Sequence, residues 1–193
     1  GENRRMGRKK ALIEIGGRRI IDIILDVFHP IFKEIIIVTN TPEDFQYSGV
    51  RIVSDTIPAK GSLGGLYSGI EKASYDQCFV SACDMPFING DLIKYIAETK
   101  GYDVVVPKVK GFYEPLFAAY SKYCAEIIRE QLLEGNIKIS DIFSKVKLYE
   151  AEIRIFDSEL LSLININTQE DLRRISQRQL YCNEVVLKNS KNL

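Results

Sequence analysis

Gln77-Cys-Phe-Val-Ser-Ala-Cys-Asp-Met-Pro-Phe87 is the stretch from which the fold is best predicted. Its nearly unbroken apolar run, which ends at Cys83, is typical of a β-strand covered on both faces, as in α/β proteins. Asp84 follows this run, and Pro86 cannot continue a strand because it has no N–H to donate. The pattern predicts a buried strand that delivers Asp84 to the crevice where open α/β sheets bind ligands. On this stretch alone, an Asp that caps a turn or the next helix is an equally good interpretation.

Two earlier apolar strands also end on polar residues. Glu34–Thr39 is followed by Asn40, and Val50–Ser54 is followed by Asp55. Because parallel strands joined by crossovers point their carboxyl ends to one edge of the sheet, we expect both side chains near Asp84. A threonine and a proline follow Asn40, so this residue is equally consistent with the start of a turn.

Helical and extended patterns alternate along the rest of the chain. Helices are predicted over Arg19–Phe28, from Leu66 to Ala73, and over Gly90–Thr99, Lys122–Leu133, Ser140–Phe143 and Thr168–Gln177. Further strands are predicted over Leu12–Ile15, Tyr102–Pro107, Tyr113–Tyr120 and Lys147–Phe156. This order predicts one α/β domain over residues 1–177, followed by a C-terminal tail over residues 178–193.

Composition argues against several classes of function. The 193 residues carry 26 Lys and Arg against 26 Asp and Glu, so no general basic field favours nucleic-acid binding. The single histidine, His29, argues against histidine-based zinc sites and Ser-His-Asp catalysis. The four cysteines are scattered without CxxC spacing, as expected of reduced packing residues in a cytoplasmic protein. No apolar run in the sequence has the length of a transmembrane helix.

The first twelve residues are basic and contain two glycines. Gly7 lets the backbone bend toward a ligand, and the surrounding cations suit phosphate binding: Arg4, Arg5, Arg8, Lys9 and Lys10. By charge alone, a solvated tail is the better interpretation. Such a loop is expected between a first strand and a first helix, so we expect an N-terminal strand to precede Gly1.

Two other segments suggest ligand contacts. Lys60-Gly-Ser-Leu-Gly-Gly-Leu66 predicts a glycine-rich loop that opens a helix, where backbone N–H groups can approach an anion or a base edge. It matches neither the Walker A nor the GxGxxG pattern. Asn165 and Asn167 alternate around Ile166 before a capping-box pattern, so both can face one site, although asparagines are also common before helices.

Four segments resemble, in order, motifs of the molybdenum cofactor guanylyltransferase family of nucleotidyltransferases: Arg4–Leu12, Gly61–Gly65, Ala82–Pro86 and Asn165–Leu172. The resemblance spans residues 1–177. It implies a three-layer α/β/α Rossmann-like sandwich with a mostly parallel sheet. It also implies a reaction that joins molybdopterin to the GMP moiety of GTP and releases pyrophosphate, with Mg²⁺ as cofactor. Molybdopterin-delivering proteins and acceptor molybdoenzymes are the protein partners that the resemblance implies.

The resemblance also implies roles for individual residues. Asp84 corresponds to the magnesium ligand and Lys10 to the phosphate-binding lysine, while Arg5 is expected along the triphosphate. Asn165 and Asn167 correspond to the pair attributed to molybdopterin binding. The residues expected to contact the nucleotide are Gly1, Lys10, Asn40, Asp55, Gly64, Gly65 and Asp84.

Three residues depart from the family pattern. Lys9 replaces an Asp, Ser62 replaces a Pro in the glycine-rich segment, and Gln169 replaces a Pro in the last motif. Two alternatives therefore remain beside the guanylyltransferase interpretation. One is a related transferase that uses CTP or another phosphorylated acceptor, and the other, motivated by Lys9, is a GTP-binding protein without catalysis.

Overall fold

The computed structural model describes residues 10–166 and 170–171. Within residues 10–166, the helices are α1 (Ile20–Phe28), α2 (Gly61–Lys72), α3 (Gly90–Glu98) and α4 (Cys124–Leu133). The strands are β1 (Glu14–Ile15), β2 (Arg18–Arg19), β3 (Ile35–Val38), β4 (Val50–Val53), β5 (Gln77–Ser81), β6 (Val104–Val109), β7 (Phe112–Tyr113), β8 (Phe117–Ser121) and β9 (Leu148–Ala151). Short 3-10 segments lie at Lys10–Leu12, Pro42–Asp44, Ile139–Lys145 and Leu161–Leu163. None of the helices in the described ranges is long and apolar enough to cross a membrane.

The strands form a mixed arrangement. A five-stranded sheet has the order β5-β8-β6-β7, with β9 also paired to β6. The β6–β9 and β3–β4 ladders are parallel, whereas the β1–β2, β5–β8, β6–β8 and β6–β7 ladders are antiparallel. The α/β class is therefore confirmed, but these ladders do not confirm a mostly parallel sheet.

The five-stranded sheet is covered on both faces. Along β6, Val105 belongs to one core cluster, while Val104 and Val106 belong to another, as the alternation of a strand requires. Buried residues of α1 and α3 pack in the first cluster, and those of α2 and α4 pack in the second. A third cluster joins α1 to β3 through Ile21, Leu25 and Ile35.

The predicted helices α1, α3 and α4 are present and end within two residues of the predicted bounds. His29 directly follows α1 and donates its backbone N–H to the carbonyl of Leu25 at 2.9 Å, as expected of a residue at a helix end. The β5 strand is shorter than predicted, since it ends at Ser81, and its residues are half-buried rather than fully buried. In the described part of the chain β5 pairs with β8 alone, which leaves its other edge less covered.

The prediction of one strand from Tyr113 to Tyr120 is wrong, because β7 and β8 are separated by residues 114–116. Pro115 offers no N–H to a ladder, and the N–H of Phe117 instead donates to the carbonyl of Glu114 at 3.0 Å. The predicted strand over Lys147–Phe156 is likewise reduced to the four residues of β9.

The glycine-rich segment forms helix rather than loop. The α2 helix begins at Gly61, so Gly64 and Gly65 lie in its first two turns. A Cβ on Gly64 would lie 2.9 Å from the Cβ of Lys60 and 3.3 Å from the carbonyl oxygen of Ile57. Gly64 therefore lets the preceding segment approach the helix closely, and the absence of a side chain serves packing here.

Candidate functional site

Two opposite charges meet beyond the end of β5. Asp84 lies three residues after this strand, and Lys10 begins the first described 3-10 segment. The Nζ atom of Lys10 donates to Oδ2 of Asp84 at 2.6 Å, and the two side chains are only 21% and 12% exposed. The structure thus brings together the two residues that the sequence singled out for phosphate and metal binding. Because water is largely excluded, their attraction exceeds that of a surface ion pair.

A cavity of about 300 Å³ opens beside Asp84. Its polar lining consists of Ser62, Asp84, Glu114 and Asn165. The rest of its wall is largely apolar and consists of Ala82, Met85, Pro115, Leu116 and Ile139. A few convergent polar groups on an apolar surface are typical of a small-molecule site, and this volume lies at the lower end of the usual range.

The segment that contains Asn165 is held directly on Asp84. The backbone N–H of Ile166 donates to the carbonyl oxygen of Asp84 at 2.9 Å, and the Ile166 side chain is fully buried. This contact explains why Asn165 lines the same cavity as Asp84. Its predicted companion Asn167 lies outside the described residues, as do Gly1 and Arg5.

Asn40 and Asp55 form a second polar group. The Nδ2 atom of Asn40 donates to Oδ2 of Asp55 at 2.8 Å, and the backbone N–H of Asp55 donates to Oδ1 of Asn40 at 3.0 Å. Each residue lies two positions after one of the parallel strands β3 and β4, so the shared strand direction brings them together.

This second group lies beside the start of α2. Oδ1 of Asp55 is 3.8 Å from the position that a Cβ on Gly65 would take. Ser62, three residues earlier in the same helix, lines the cavity that contains Asp84. The first turns of α2 therefore lie between the two groups. Asn40, Asp55, Gly64 and Gly65 are not among the described residues that line the cavity.

Glu114 was not among the predicted site residues, yet it lines the cavity from the segment between β7 and β8. Burial raises the pKa of its carboxyl group above the usual value of 4.5. A signal was present in the sequence, since Glu114 is the only charged residue between Tyr113 and Tyr120. Because one continuous strand was expected over these residues, Glu114 was not considered as a site residue.

Of the three cysteines within the described ranges, Cys78 and Cys124 are withdrawn from solvent as packing residues are, whereas Cys83 is exposed, so the prediction of a packing role is wrong for Cys83. Burial raises the pKa of the Cys78 thiol to about 12 and that of the Cys124 thiol to about 11. Both groups are therefore neutral at physiological pH and act as packing residues. Cys182 lies outside the described residues.

The donor set around Asp84 suits one kind of metal ion. Within the described residues, no group of three or more His, Cys, Asp or Glu side chains is arranged to hold a metal. A single carboxylate is nevertheless sufficient for Mg²⁺, which commonly takes one or two protein carboxylates and completes its shell with water and substrate phosphates. Asp84 fits this pattern, provided that Lys10 gives up its contact with the carboxylate.

Comparison with known proteins shows the family to which the chain belongs. Residues 1–148 match the family model described as MobA-like NTP transferase domain. The chain is 39% identical to a "Probable molybdenum cofactor guanylyltransferase" from Natranaerobius thermophilus, with 90% of each chain covered. It is 36% identical to a molybdenum cofactor guanylyltransferase from Desulfosudis oleivorans, with 90% of this chain and 89% of the relative covered. The crystal structure of molybdopterin-guanine dinucleotide biosynthesis protein A from Archaeoglobus fulgidus superimposes with a TM-score of 0.80 at 27% identity over 95% of both chains.

Proposed function

Since this chain belongs to the family of MobA-like NTP transferase domains, we propose that it transfers GMP from GTP to molybdopterin and releases pyrophosphate. The observation that carries the proposal is the contact between Lys10 and Asp84 beside a cavity of about 300 Å³. Nucleotidyl transfer requires phosphate binding and metal binding. The Lys10 ammonium group can bind phosphate, and the adjacent Asp84 carboxylate can bind a metal ion.

The reaction joins two anions, so charge neutralisation and alignment must supply most of the catalysis. The terminal phosphate of molybdopterin attacks the α-phosphorus of GTP, and the bond to the departing pyrophosphate breaks. Lys10 stabilises the negative charge that develops on the pyrophosphate, and Arg5 assists along the triphosphate. The attacking phosphate is already ionised near neutral pH, so no general base is required.

Asp84 would hold Mg²⁺ through its carboxylate. When bound, the ion would supply neutralisation of the phosphate charge. The Lys10 ammonium group then moves from the carboxylate toward the phosphates. The protein thus keeps Asp84 neutralised both before and after the nucleotide arrives.

Each polar group is proposed to bind one part of the substrates. Asn40 and Asp55, together with Gly64 and Gly65 in the N-terminal turns of α2, are proposed to contact the nucleotide. Gly1, which lies outside the described residues, is proposed as a further nucleotide contact. Asn165, in the cavity beside Asp84, binds molybdopterin together with Asn167. The first turns of α2 would then lie between the nucleoside and the acceptor.

The family also supports finer proposals about the fold and the setting. Helices α1 and α3 on one face of the sheet and α2 and α4 on the other are consistent with a three-layer α/β/α sandwich. A reaction that consumes GTP suits the cytoplasm, where its substrate is available. Molybdopterin-delivering proteins and acceptor molybdoenzymes would supply the substrate and receive the product.

Pyrophosphate release tests the proposal directly. We expect release when the protein is incubated with Mg²⁺, molybdopterin and GTP, and none when molybdopterin is omitted. A faster reaction with CTP than with GTP would contradict the assignment of the base. GTP binding without pyrophosphate release would indicate instead a nucleotide-binding protein without catalysis, as Lys9 in place of the family Asp suggests.

A further inference from the structure

Glu114 lines the cavity, and within the described part of the chain its carboxylate has no protein partner. Among the residues that the structure describes, no side chain or backbone group donates a hydrogen bond to it, and no cation pairs with it. Its side chain is half-buried, and burial raises the pKa of the carboxyl group. Withdrawing a carboxylate from water without a donor costs free energy, so a bound ligand that brings donors would relieve this cost.

In the described ranges, the hydrogen bonds of Glu114 come from its backbone. Its N–H donates to the carbonyl of Pro107 at 3.0 Å, and its carbonyl accepts from the N–H of Phe117 at 3.0 Å. A more deeply buried acid, Asp157, has a clear structural role, since its carboxylate accepts the N–H groups of Leu161 and Ser162. The Glu114 carboxylate has no such task and is available to a ligand.

The surroundings of Glu114 indicate the shape of that ligand. One wall of the cavity is apolar and suits the faces of a flat heterocycle. This wall consists of Met85, Pro115, Leu116 and Ile139. A carboxylate binds such a ring best where two neighbouring N–H groups point the same way, because its two oxygens then accept both. The 2-amino-4-oxo-pyrimidine edge, which carries a ring N–H beside an amino group, has this pattern.

Both substrates of the proposed reaction carry this edge, one in guanine and the other in the pterin of molybdopterin. The position of Glu114 distinguishes them. It shares the cavity with Asn165, whereas Asn40 and Asp55 lie beside Gly65 and do not line the cavity. Building on the proposed function, we infer that Glu114 is the specificity residue for the acceptor and accepts the N3–H and 2-amino hydrogens of its pterin ring.

Pterin and lumazine provide the direct test, because lumazine carries an oxygen where pterin carries the 2-amino group. Their intrinsic fluorescence is titrated with the protein. The wild-type protein should bind pterin at least tenfold more tightly than lumazine, since one charge-assisted hydrogen bond is replaced by repulsion between two oxygens. Equal affinity for the two compounds, or binding of neither, would overturn the inference.

The variant Glu114→Gln tests the residue. The amide oxygen of the glutamine can still accept from the ring N–H, but its NH₂ group then faces the 2-amino group of pterin, which is also a donor. Pterin affinity should therefore fall about tenfold to a hundredfold, and the preference for pterin over lumazine should disappear or reverse. Glu114→Asp retains the charge on a shorter arm and should weaken pterin binding without reversing the preference. The exposed Glu130 on α4 supplies a matched control, and Glu130→Gln should behave as the wild type does. Retention of the wild-type preference by Glu114→Gln would refute the assignment.

GTP and ITP, which lacks the 2-amino group, distinguish pterin from guanine. If Glu114 instead binds guanine, Glu114→Gln will abolish the preference for GTP over ITP and leave pterin binding intact, which overturns the inference. In the transfer assay, Glu114→Gln should raise the KM for molybdopterin at least tenfold and leave the KM for GTP unchanged. Failure of the wild-type enzyme to release pyrophosphate would refute the proposed function, whereas pterin binding would still report on Glu114.

Discussion

Replacing Lys10 should strengthen the binding of a divalent metal in the absence of nucleotide. In the structure the Lys10 ammonium group occupies Oδ2 of Asp84 at 2.6 Å, so a metal must displace it to reach that oxygen. The side chains are 21% and 12% exposed, and a hydrogen bond between charged groups in this setting contributes about 1.5–3 kcal/mol. Lys10→Met removes this competitor. At 1.4 kcal/mol per factor of ten, the affinity for Mn²⁺ should rise about 10- to 150-fold.

Electron paramagnetic resonance of free Mn²⁺ measures this affinity by titration. Lys94→Met on α3 is the matched control, since Lys94 pairs with Asp91 at 3.7 Å and its side chain is half exposed. The Mn²⁺ affinity of this variant should equal that of the wild type. Asp84→Asn should lose the site altogether. In the presence of GTP the effect of Lys10→Met should reverse, because the variant has lost its phosphate contact. Unchanged or weaker Mn²⁺ binding by Lys10→Met without nucleotide would refute the reasoning.

Two further predictions concern the parts of the fold that support the site. In a urea titration, Gly64→Ala should lower the free energy of unfolding by about 1–3 kcal/mol, because the new Cβ would lie 2.9 Å from the Cβ of Lys60. The control Gly69→Ala should be neutral or stabilising, because its nearest contact would lie at 3.5 Å and alanine favours the helix. Burial of the Glu34 carboxyl raises its pKa, but hydrogen bonds from the N–H and hydroxyl of Ser74 outweigh this, so the pKa lies below its usual value of 4.5. Glu34→Gln should therefore cost about 1–2 kcal/mol at pH 7, and the difference should shrink as the pH falls below 4.5, because the wild type loses its ionised partner there. A difference that is constant from pH 7 to pH 3 would contradict this explanation.

The sequence predicted best what depends on local pattern. Apolar spacing was sufficient for α1, α3 and α4. Asn40, Asp55 and Asp84 do follow strands as the pattern indicated, but among the described residues Asn40 and Asp55 pair with each other and do not line the cavity beside Asp84. Glu114 was not predicted because it lies in a break between β7 and β8. At this break the backbone N–H of Phe117 donates to the carbonyl of Glu114 and not to a neighbouring strand, which the local apolar pattern does not indicate.

Tertiary contacts also explain the remaining differences. Helix α2 begins at Gly61, earlier than its glycines suggested. Lys60 and Ile57 lie close to Gly64 in space, and a residue with a side chain at this position would collide with them. The mixed sheet follows from β8, which pairs antiparallel with both β5 and β6. Strand direction of this kind depends on connections far apart in the chain, and local apolar pattern does not encode it.

A crystal structure of the protein with GTP and Mg²⁺ tests the central claim most directly. We predict that the ion contacts the Asp84 carboxylate and phosphate oxygens together, while Nζ of Lys10 has left Asp84 and contacts the triphosphate. A triphosphate bound away from Asp84, with the 2.6 Å contact between Lys10 and Asp84 intact, would contradict the claim.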